Sequence, residues 1–373
     1  MFLVIFHLLK KTHINKDKIK MTTDEKFMHR CLQLSLLGKG HVSPNPMVGA
    51  VIVKDGKIIG EGYHRQYGGP HAEVNAFESV KDKSQIEGSD MYVSLEPYSH
   101  FGKTPPCANR IIQEKIKRVI IAVVDPNPQV AGRGIRLLQA AGIEVELNVL
   151  EKEAKDLNKE FFVYQTFRRP YIYLKWAQTK DNFIDKKRIP GQAAEPTIIS
   201  TDFHKILVHK IRAEVSSIMV GTNTAINDNP FLTTRLWAGK NPTRIVIDRS
   251  GRIPPGSNII NNEASTFVYT EAVDSEQSSG STTYIPIIFG EDLLKKIMAD
   301  LRVRKINSVL VEGGRQLLQS FIDAGLWDEA FVEIAEKEFH EGTPAPVIHG
   351  EATVNEKDND SSIIHLKNII STN

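Results

Sequence analysis

Thiols are almost missing from this chain, which has two cysteines, Cys31 and Cys107, in 373 residues. So few exclude a disulfide framework and favour a reducing, cytoplasmic setting. An excess of one charge sign is also missing. The formal net charge is +2, which offers neither a basic stripe for nucleic acid nor a polybasic patch for an anionic membrane. Long hydrophobic runs are absent too, since the apolar stretch from Phe2 to Leu9 is far too short to span a bilayer. No internal repeat, heptad pattern, low-complexity tract or G-x-G-x-x-G fingerprint occurs. The expected partner is therefore a small molecule, with no nucleic acid and no membrane, and a homo-oligomer is left open.

What is present is the composition of a soluble globular protein, 41% hydrophobic and 25% charged, long enough for two cores. Residues 1–20 lack the basic n-region and small-residue cleavage site of a secretory signal and are expected to form an unstructured extension. Thr22 to Glu25 has capping-box spacing. Phe27, Cys31 and Leu34 follow at helical spacing, which makes Cys31 a small core residue. Val48–Val53 and Ile58–Tyr63 flank Asp55-Gly56, a type I′ hairpin signal. Helices are expected from His71 to Val80, Ala108 to Lys115, Ile135 to Ala141 and Glu151 to Gln165. A buried strand is expected at 91–95, and strands at 118–124 and 143–147.

Arg168-Arg169-Pro170 is the expected boundary. It divides the chain into residues 21–167 and 168–373. Beyond it, strands at 171–176, 217–221, 243–248, 266–269 and 308–312 alternate with helices at 204–213, 292–302 and 316–324. Glu271 to Thr283 is polar and aperiodic, so a mobile surface loop is expected there. Alternation of this kind makes each half an α/β domain.

Chemistry-bearing residues cluster in the first half. His71-Ala72-Glu73 is followed by Pro97-Tyr98-Ser99-His100 and by Pro105-Pro106-Cys107. The zinc nucleobase deaminases read H-x-E, then P-C, then a second Cys, with the Glu as proton shuttle. On that pattern His71 and Cys107 are metal ligands and Glu73 is catalytic. Hydrolytic deamination needs hydroxide near neutral pH, and zinc on three protein ligands lowers the pKa of a water in the fourth position to about 7. Cys107 opens a helix after two prolines, where a thiolate is favoured. Tyr98 stands where a thiolate is wanted. A phenol with a reference pKa of ~10 is a poorer ligand than a thiol at ~8.5, and its oxygen lies further from the backbone. Three outcomes are open: zinc is weak or lost, His100 or Tyr98 ligates from a shifted loop, or the position varies within an active lineage.

The second half carries Val309-Leu310-Val311-Glu312-Gly313-Gly314-Arg315, two glycines between a strand and a helix, where backbone N–H groups can approach a phosphate. Lys175-Trp176-Ala177-Gln178-Thr179, Arg212-Ala213-Glu214 and the segment from Val220 to Pro230 accompany it, with Leu232 and Arg235. Arginines suit a phosphomonoester because the guanidinium binds it in bidentate fashion.

Together with Ser43-Pro44-Asn45-Pro46-Met47-Val48-Gly49-Ala50, His71-Ala72-Glu73-Val74-Asn75-Ala76 and the segment from Asp125 to Gly134, these motifs resemble the bifunctional deaminase–reductases of bacterial riboflavin biosynthesis. The resemblance runs from about Met21 to near the C-terminus. It implies a cytidine-deaminase-like α/β/α domain followed by a dihydrofolate-reductase-like α/β domain. It also implies two reactions: deamination of a diaminopyrimidinone ribosylamino 5′-phosphate, and NADPH reduction of the ribosyl chain to ribityl. Zinc and NADPH are the implied cofactors. Carried over by position, Gln178, Thr224, Asp228 and the segment from Gly314 to Ser320 would contact NADPH. Arg212, Leu232, Arg235 and Glu312 would hold the ribose phosphate. Asn45 would read the pyrimidine edge. Departures from the family pattern are Tyr98 for Cys, Asn182 for Gly, and Pro196 and Ile198. The rivals are a reductase with an inactive first domain and, from another class, a nucleic-acid deaminase, which the neutral charge disfavours.

Overall fold

The computed structural model describes residues 21–99, 106–127, 130–188, 196–357 and 360–368. The extension at 1–20, His100 and residues 128–129 lie outside the described residues. The first half is a five-stranded sheet in the order β2-β1-β3-β4-β5. Its strands are β1 (Gly49–Lys54), β2 (Lys57–Tyr63), β3 (Asp90–Val93), β4 (Arg118–Ile121) and β5 (Glu144–Leu147). β1 pairs antiparallel with β2 and β3, and β3, β4 and β5 run parallel. Asp55 and Gly56 both take positive φ, 49° and 72°, as the hairpin turn requires.

Strand residues alternate between two cores. Ala50, Ile52, Met91, Val93, Val119 and Ile121 face α2 (Ala72–Ser79), α3 (Cys107–Gln113) and α4 (Arg133–Ala140). Val51, Val53, Tyr92 and Ile120 face α1 (Thr23–Ser35), α5 (Glu151–Leu157) and α6 (Lys159–Thr166). Burial on both faces is why these strands read as unbroken apolar runs. The Thr22–Glu25 capping box forms, and the Cys31 thiol is buried against the Tyr92 carbonyl at 3.3 Å. At Gly62 a Cβ would lie 2.2 Å from the Ala76 nitrogen. Only glycine lets α2 seat that closely on β2, which fixes the position of its first turn.

The helix expected over 151–165 is two helices. Asn158 interrupts it at φ −105°, ψ 23°. Its side-chain amide is drawn off to accept from and donate to the Met47 backbone, both at 2.8 Å.

The second half is a ten-stranded sheet in the order β11-β12-β10-β9-β8-β13-β6-β14-β17-β16. Its parallel centre is β12 (Thr282–Pro286), β10 (Thr266–Thr270), β9 (Thr243–Ile247), β8 (Ser217–Gly221), β13 (Ser308–Val311), β6 (Tyr171–Thr179) and β14 (Glu329–Ala335). Its antiparallel margins are β11 (Gln277–Ser279), β17 (Ser361–Lys367) and β16 (Glu351–Lys357). β7 (Phe183–Lys186) pairs with β15 (Gly342–Pro344) in a small separate sheet. Helices α7 (Asp202–Glu214), α8 (Thr222–Asp228), α9 (Leu293–Val303) and α10 (Arg315–Asp323) accompany the large sheet. The polar stretch expected as a loop instead supplies β11, whose exposed side chains pair at the sheet margin.

Helix α6 belongs to both cores. Phe161 packs with the first and Val163 with the second. Lys159 pairs with Glu329 at 2.7 Å and Glu160 accepts from the Tyr173 hydroxyl at 2.9 Å. Ser43 donates to Asn307 at 2.7 Å across the same seam.

Candidate active sites

Two helix starts and one loop build the first site. His71 immediately precedes α2, Glu73 lies in its first turn, and Cys107 is the first residue of α3. The ligand atoms of His71, Glu73 and Cys107 all lie within 4.8 Å of one another. His71 Nδ1 is 3.2 Å from the Cys107 sulfur. Tetrahedral zinc bonds of about 2.0–2.1 Å to nitrogen and 2.3 Å to sulfur put such a pair roughly 3.5 Å apart. Nitrogen, sulfur and carboxylate oxygen are all zinc donors, so this set fits the ion on chemistry and spacing. Burial pushes the Cys107 thiol up, and the Glu73 carboxylate beside it adds to the effect.

Tyr98 enters the site as a ring, with its centroid 5.9 Å from that of His71 and nearly perpendicular to it. Burial raises its phenol, reinforced by the charge of Asp125. Its backbone is fixed, because the Tyr98 carbonyl accepts from the Ala108 N–H at 3.1 Å. Two residues earlier, the buried Glu96 carboxylate accepts from the N–H groups of Gly132 at 2.9 Å, Gly134 at 3.0 Å and Asp125 at 3.3 Å. This knot ties the loop at 125–134 to the site, and a Cβ at Gly134 would stand 2.1 Å from the Pro97 carbonyl oxygen. Burial pushes the Asp125 carboxyl up to about 6. Asn45 is within 3.2 Å of His64, whose ring lies 5.7 Å from that of His71, so the Asn45 amide sits one ring from the cluster.

The second site is a cleft of about 1490 Å³ at the C-terminal ends of the parallel strands, where open α/β sheets bind ligands. Lys175 of β6, Gly221 at the end of β8, and Glu312, Gly313 and Gly314 after β13 contribute to its lining. Arg212 donates both Nε and Nη2 to the Glu312 carboxylate, at 2.9 and 2.5 Å. Burial pushes Glu312 up, but the Arg212 guanidinium and Lys175 ammonium outweigh it and hold the carboxyl below its usual range. Burial, helped by Arg212 and Arg235, drives His209 down to about 4 and keeps it neutral. The Arg235 backbone N–H donates to His209 at 2.9 Å, and the Arg235 guanidinium, which donates to Thr233 at 3.0 Å, belongs to the cleft lining.

Across the cleft, Thr224 lies under the glycine turn. A Cβ at Gly313 would be 2.9 Å from its methyl group, and Gly314 takes φ 73°. The turn is thus a cradle with no room for side chains, as backbone approach to a phosphate requires. Asp228 is paired with Arg188 at 2.9 Å. Thr224, Asp228, Gly314, Arg212, Arg235 and Glu312 all line the one cleft, whereas Gln178 and Leu232 do not. Gln178 is buried between Trp176 and Asn182, at 2.7 and 2.8 Å, and Leu232 packs in the core beneath. Asn182 holds φ 65° in the β6–β7 turn, a conformation asparagine tolerates in place of glycine. Sequence reading missed Arg249, Arg252 and Phe289 at the far end of the cleft. They come from loops, where no periodicity marks them.

Residues 21–123 match the model of the cytidine and deoxycytidylate deaminase zinc-binding region, and residues 170–354 match that of the RibD C-terminal domain. The chain is 42% identical over 323 residues to the riboflavin biosynthesis protein RibD of Aquifex aeolicus, covering 86% of this chain and 88% of that protein. It is 38% identical over 313 residues to the RibD of Bacillus amyloliquefaciens, covering 82% of each. Among solved structures, a Thermotoga maritima diaminohydroxyphosphoribosylaminopyrimidine deaminase/5-amino-6-(5-phosphoribosylamino)uracil reductase superposes with TM-score 0.83 at 36% identity, over 93% of this chain and 99% of that one. Acinetobacter baumannii RibD superposes with TM-score 0.81 at 29% identity, over 92% and 98%.

Proposed function

Since the chain belongs to the RibD family and is a bifunctional deaminase–reductase of riboflavin biosynthesis, we propose that residues 21–167 carry the first reaction and 168–373 the second. The substrate of the first is a diaminopyrimidinone ribosylamino 5′-phosphate, and that of the second is its deaminated product. The observation that carries this reading is the convergence of His71, Glu73 and Cys107 within 4.8 Å of one another.

His71 and Cys107 hold zinc, which when bound makes a water acidic enough to attack at neutral pH. Glu73 is placed to take a proton from that side of the site and return it to the departing amine. Asn45, held by His64, faces the pyrimidine edge. In the second site NADPH, when bound, would supply the hydride for the sugar carbon. The Gly313–Gly314 turn, the start of α10, Thr224 and Asp228 line the cleft and would hold its phosphates. Gln178 supports that side from below, through its bonds to Trp176 and Asn182. Arg212 and Arg235 hold the substrate phosphate, Glu312 orients Arg212, and Leu232 packs beneath them. Arg249 and Arg252 lie toward the far end and suit the extra phosphate that distinguishes NADPH from NADH. Among the described residues no helix is long and apolar enough to cross a membrane, in keeping with a cytoplasmic enzyme.

The test is to supply the deaminated ribosylaminouracil phosphate and follow NADPH oxidation, with the ribityl product identified by mass. Folded protein that consumes no NADPH with this substrate would overturn the reductase assignment.

A further inference from the structure

The donor set of the metal site differs from the zinc-deaminase pattern in one place, and the described residues around it hold the main chain there. That pattern supplies one imidazole and two thiolates and leaves the glutamate free to move protons. Here Tyr98 stands at the position of one thiolate, and its backbone is held from both sides. The Ala108 N–H holds its carbonyl at 3.1 Å. Upstream, Glu96 is anchored by the N–H groups of Gly132 and Gly134 at 2.9 and 3.0 Å. Gly134 also abuts the Pro97 carbonyl so closely that a Cβ would lie 2.1 Å from it. A phenol oxygen is four bonds further from Cβ than the site of a directly attached sulfur. With the main chain pinned at Pro97 and Tyr98, an oxygen that far out on a rigid ring does not take the place of a sulfur bonded to Cβ. The ring instead packs edge to face on His71.

Among the described residues, the only group of three or more histidine, cysteine or acidic side chains close enough to share an ion is His71, Glu73 and Cys107. We propose that Glu73 is drawn into the shell as the third protein donor, so that this chain holds zinc through a single thiolate and exchanges it readily. The inference rests on the proposed metal role of His71 and Cys107. It adds that one carboxylate serves two needs, retaining the ion and moving the proton. The deaminase half is then filled or emptied by free zinc, whereas the reductase half, in a separate cleft, does not depend on the ion.

Chelator competition on the full-length protein tests this, with zinc alone as the probe. Losing an outer-shell partner costs 10–100-fold in metal affinity, so Tyr98→Cys is expected to tighten zinc by at least roughly a hundredfold. The decisive readout is a double-mutant comparison. Glu73→Gln should weaken zinc strongly with Tyr98 in place and little in the Tyr98→Cys background. Tyr98→Phe should leave affinity unchanged. With cobalt as the probe, near-ultraviolet thiolate-to-metal absorption should increase on Tyr98→Cys. NADPH oxidation by the same samples reports separately on whether the chain is folded and the reductase reading holds.

Three results would each overturn the proposal. One is equal zinc retention by the unaltered protein and Tyr98→Cys. Another is loss of zinc on Tyr98→Phe, which would make the phenol a ligand. The third is loss on His100→Ala without loss on Glu73→Gln.

Discussion

The metal cluster and the reductase cleft distribute their chemistry in opposite ways. The first gathers three donors within 4.8 Å from the first turns of two helices. The second spreads paired charges over a cleft of about 1490 Å³. In the compact site few side chains converge on one point, so a single letter, Tyr98, changes what its neighbours must do. The open site contains departures as well, at Asn182, Pro196 and Ile198. Asn182 merely adopts the positive φ of its turn, while Pro196 and Ile198 line one wall of the cleft. Sites built from converging ligands are sensitive to substitution, whereas sites built from distributed contacts absorb it.

The largest effect that would sharpen this contrast is at Glu73. Glu73→Gln removes the proton carrier and is expected to lower deamination by about 10²–10⁴-fold. Stripping the metal with a chelator should do at least as much. Ammonia release and NADPH oxidation measured on one sample should separate cleanly, and parallel loss of both would erase the distinction between the sites.

Next is Arg212, the partner of a nearly buried carboxylate, with the two side chains 13% and 10% exposed. Arg212→Ala leaves Glu312 with only the more distant Lys175 to offset its charge, and breaking a fully buried pair costs on the order of 3–5 kcal/mol. It should raise KM for the phosphate substrate more than it lowers kcat. Steady-state kinetics with a thermal melt checks both, and an unchanged KM would remove Arg212 from substrate binding.

A smaller effect is expected at the seam. Burial pushes Glu329 up, but His365 and Lys159 outweigh it and hold the carboxyl down to about 2, against an unfolded value of 4.5. The folded form therefore binds this proton less tightly than the unfolded chain. Its contribution, on the order of 3 kcal/mol, is present above pH 4.5 and lost as pH falls toward 2. Glu329→Gln should lower Tm at neutral pH and flatten the acid limb of the stability profile. A variant that keeps the same acid limb would show that the pair contributes nothing there.

The smallest expected effect is Gly134→Ala, which presses a methyl group on the Pro97 carbonyl at about 1–3 kcal/mol. Because the strain falls beside Tyr98, it should slow deamination while leaving the KM for NADPH alone. Equal effects on both reactions would mean that the strain spreads through the chain.

Much of the first half was legible in the sequence because its signals are local. Thr22 and Glu25, Asp55 and Gly56, and the start of α2 each specify a structure within a few residues. The strands were legible because both faces are buried. What escaped depends on distant partners. β14 reads Glu-Ala-Phe-Val-Glu-Ile-Ala, and its buried glutamates disguise a strand. They are tolerable only because Lys159, His365, His204 and Lys175 come from elsewhere in the chain. Likewise Gln178 was recognisable by position, but its engagement with Trp176 and Asn182 was not. The candidate ligands His71 and Cys107 were visible at once, whereas the knot that fixes Tyr98 needed the fold.

Helix α6 also bears on how such a gene could divide. One end of the helix completes the first core with Phe161, and its middle completes the second with Val163. A fission before Lys159 would leave the first product with an apolar gap beside Tyr92 and Ala154. A fission after Thr166 would deprive the second product of the lysine that neutralises Glu329. Each daughter would first have to cover the apolar surface it exposes or neutralise the carboxylate it leaves buried, which is a cost of undoing the fusion.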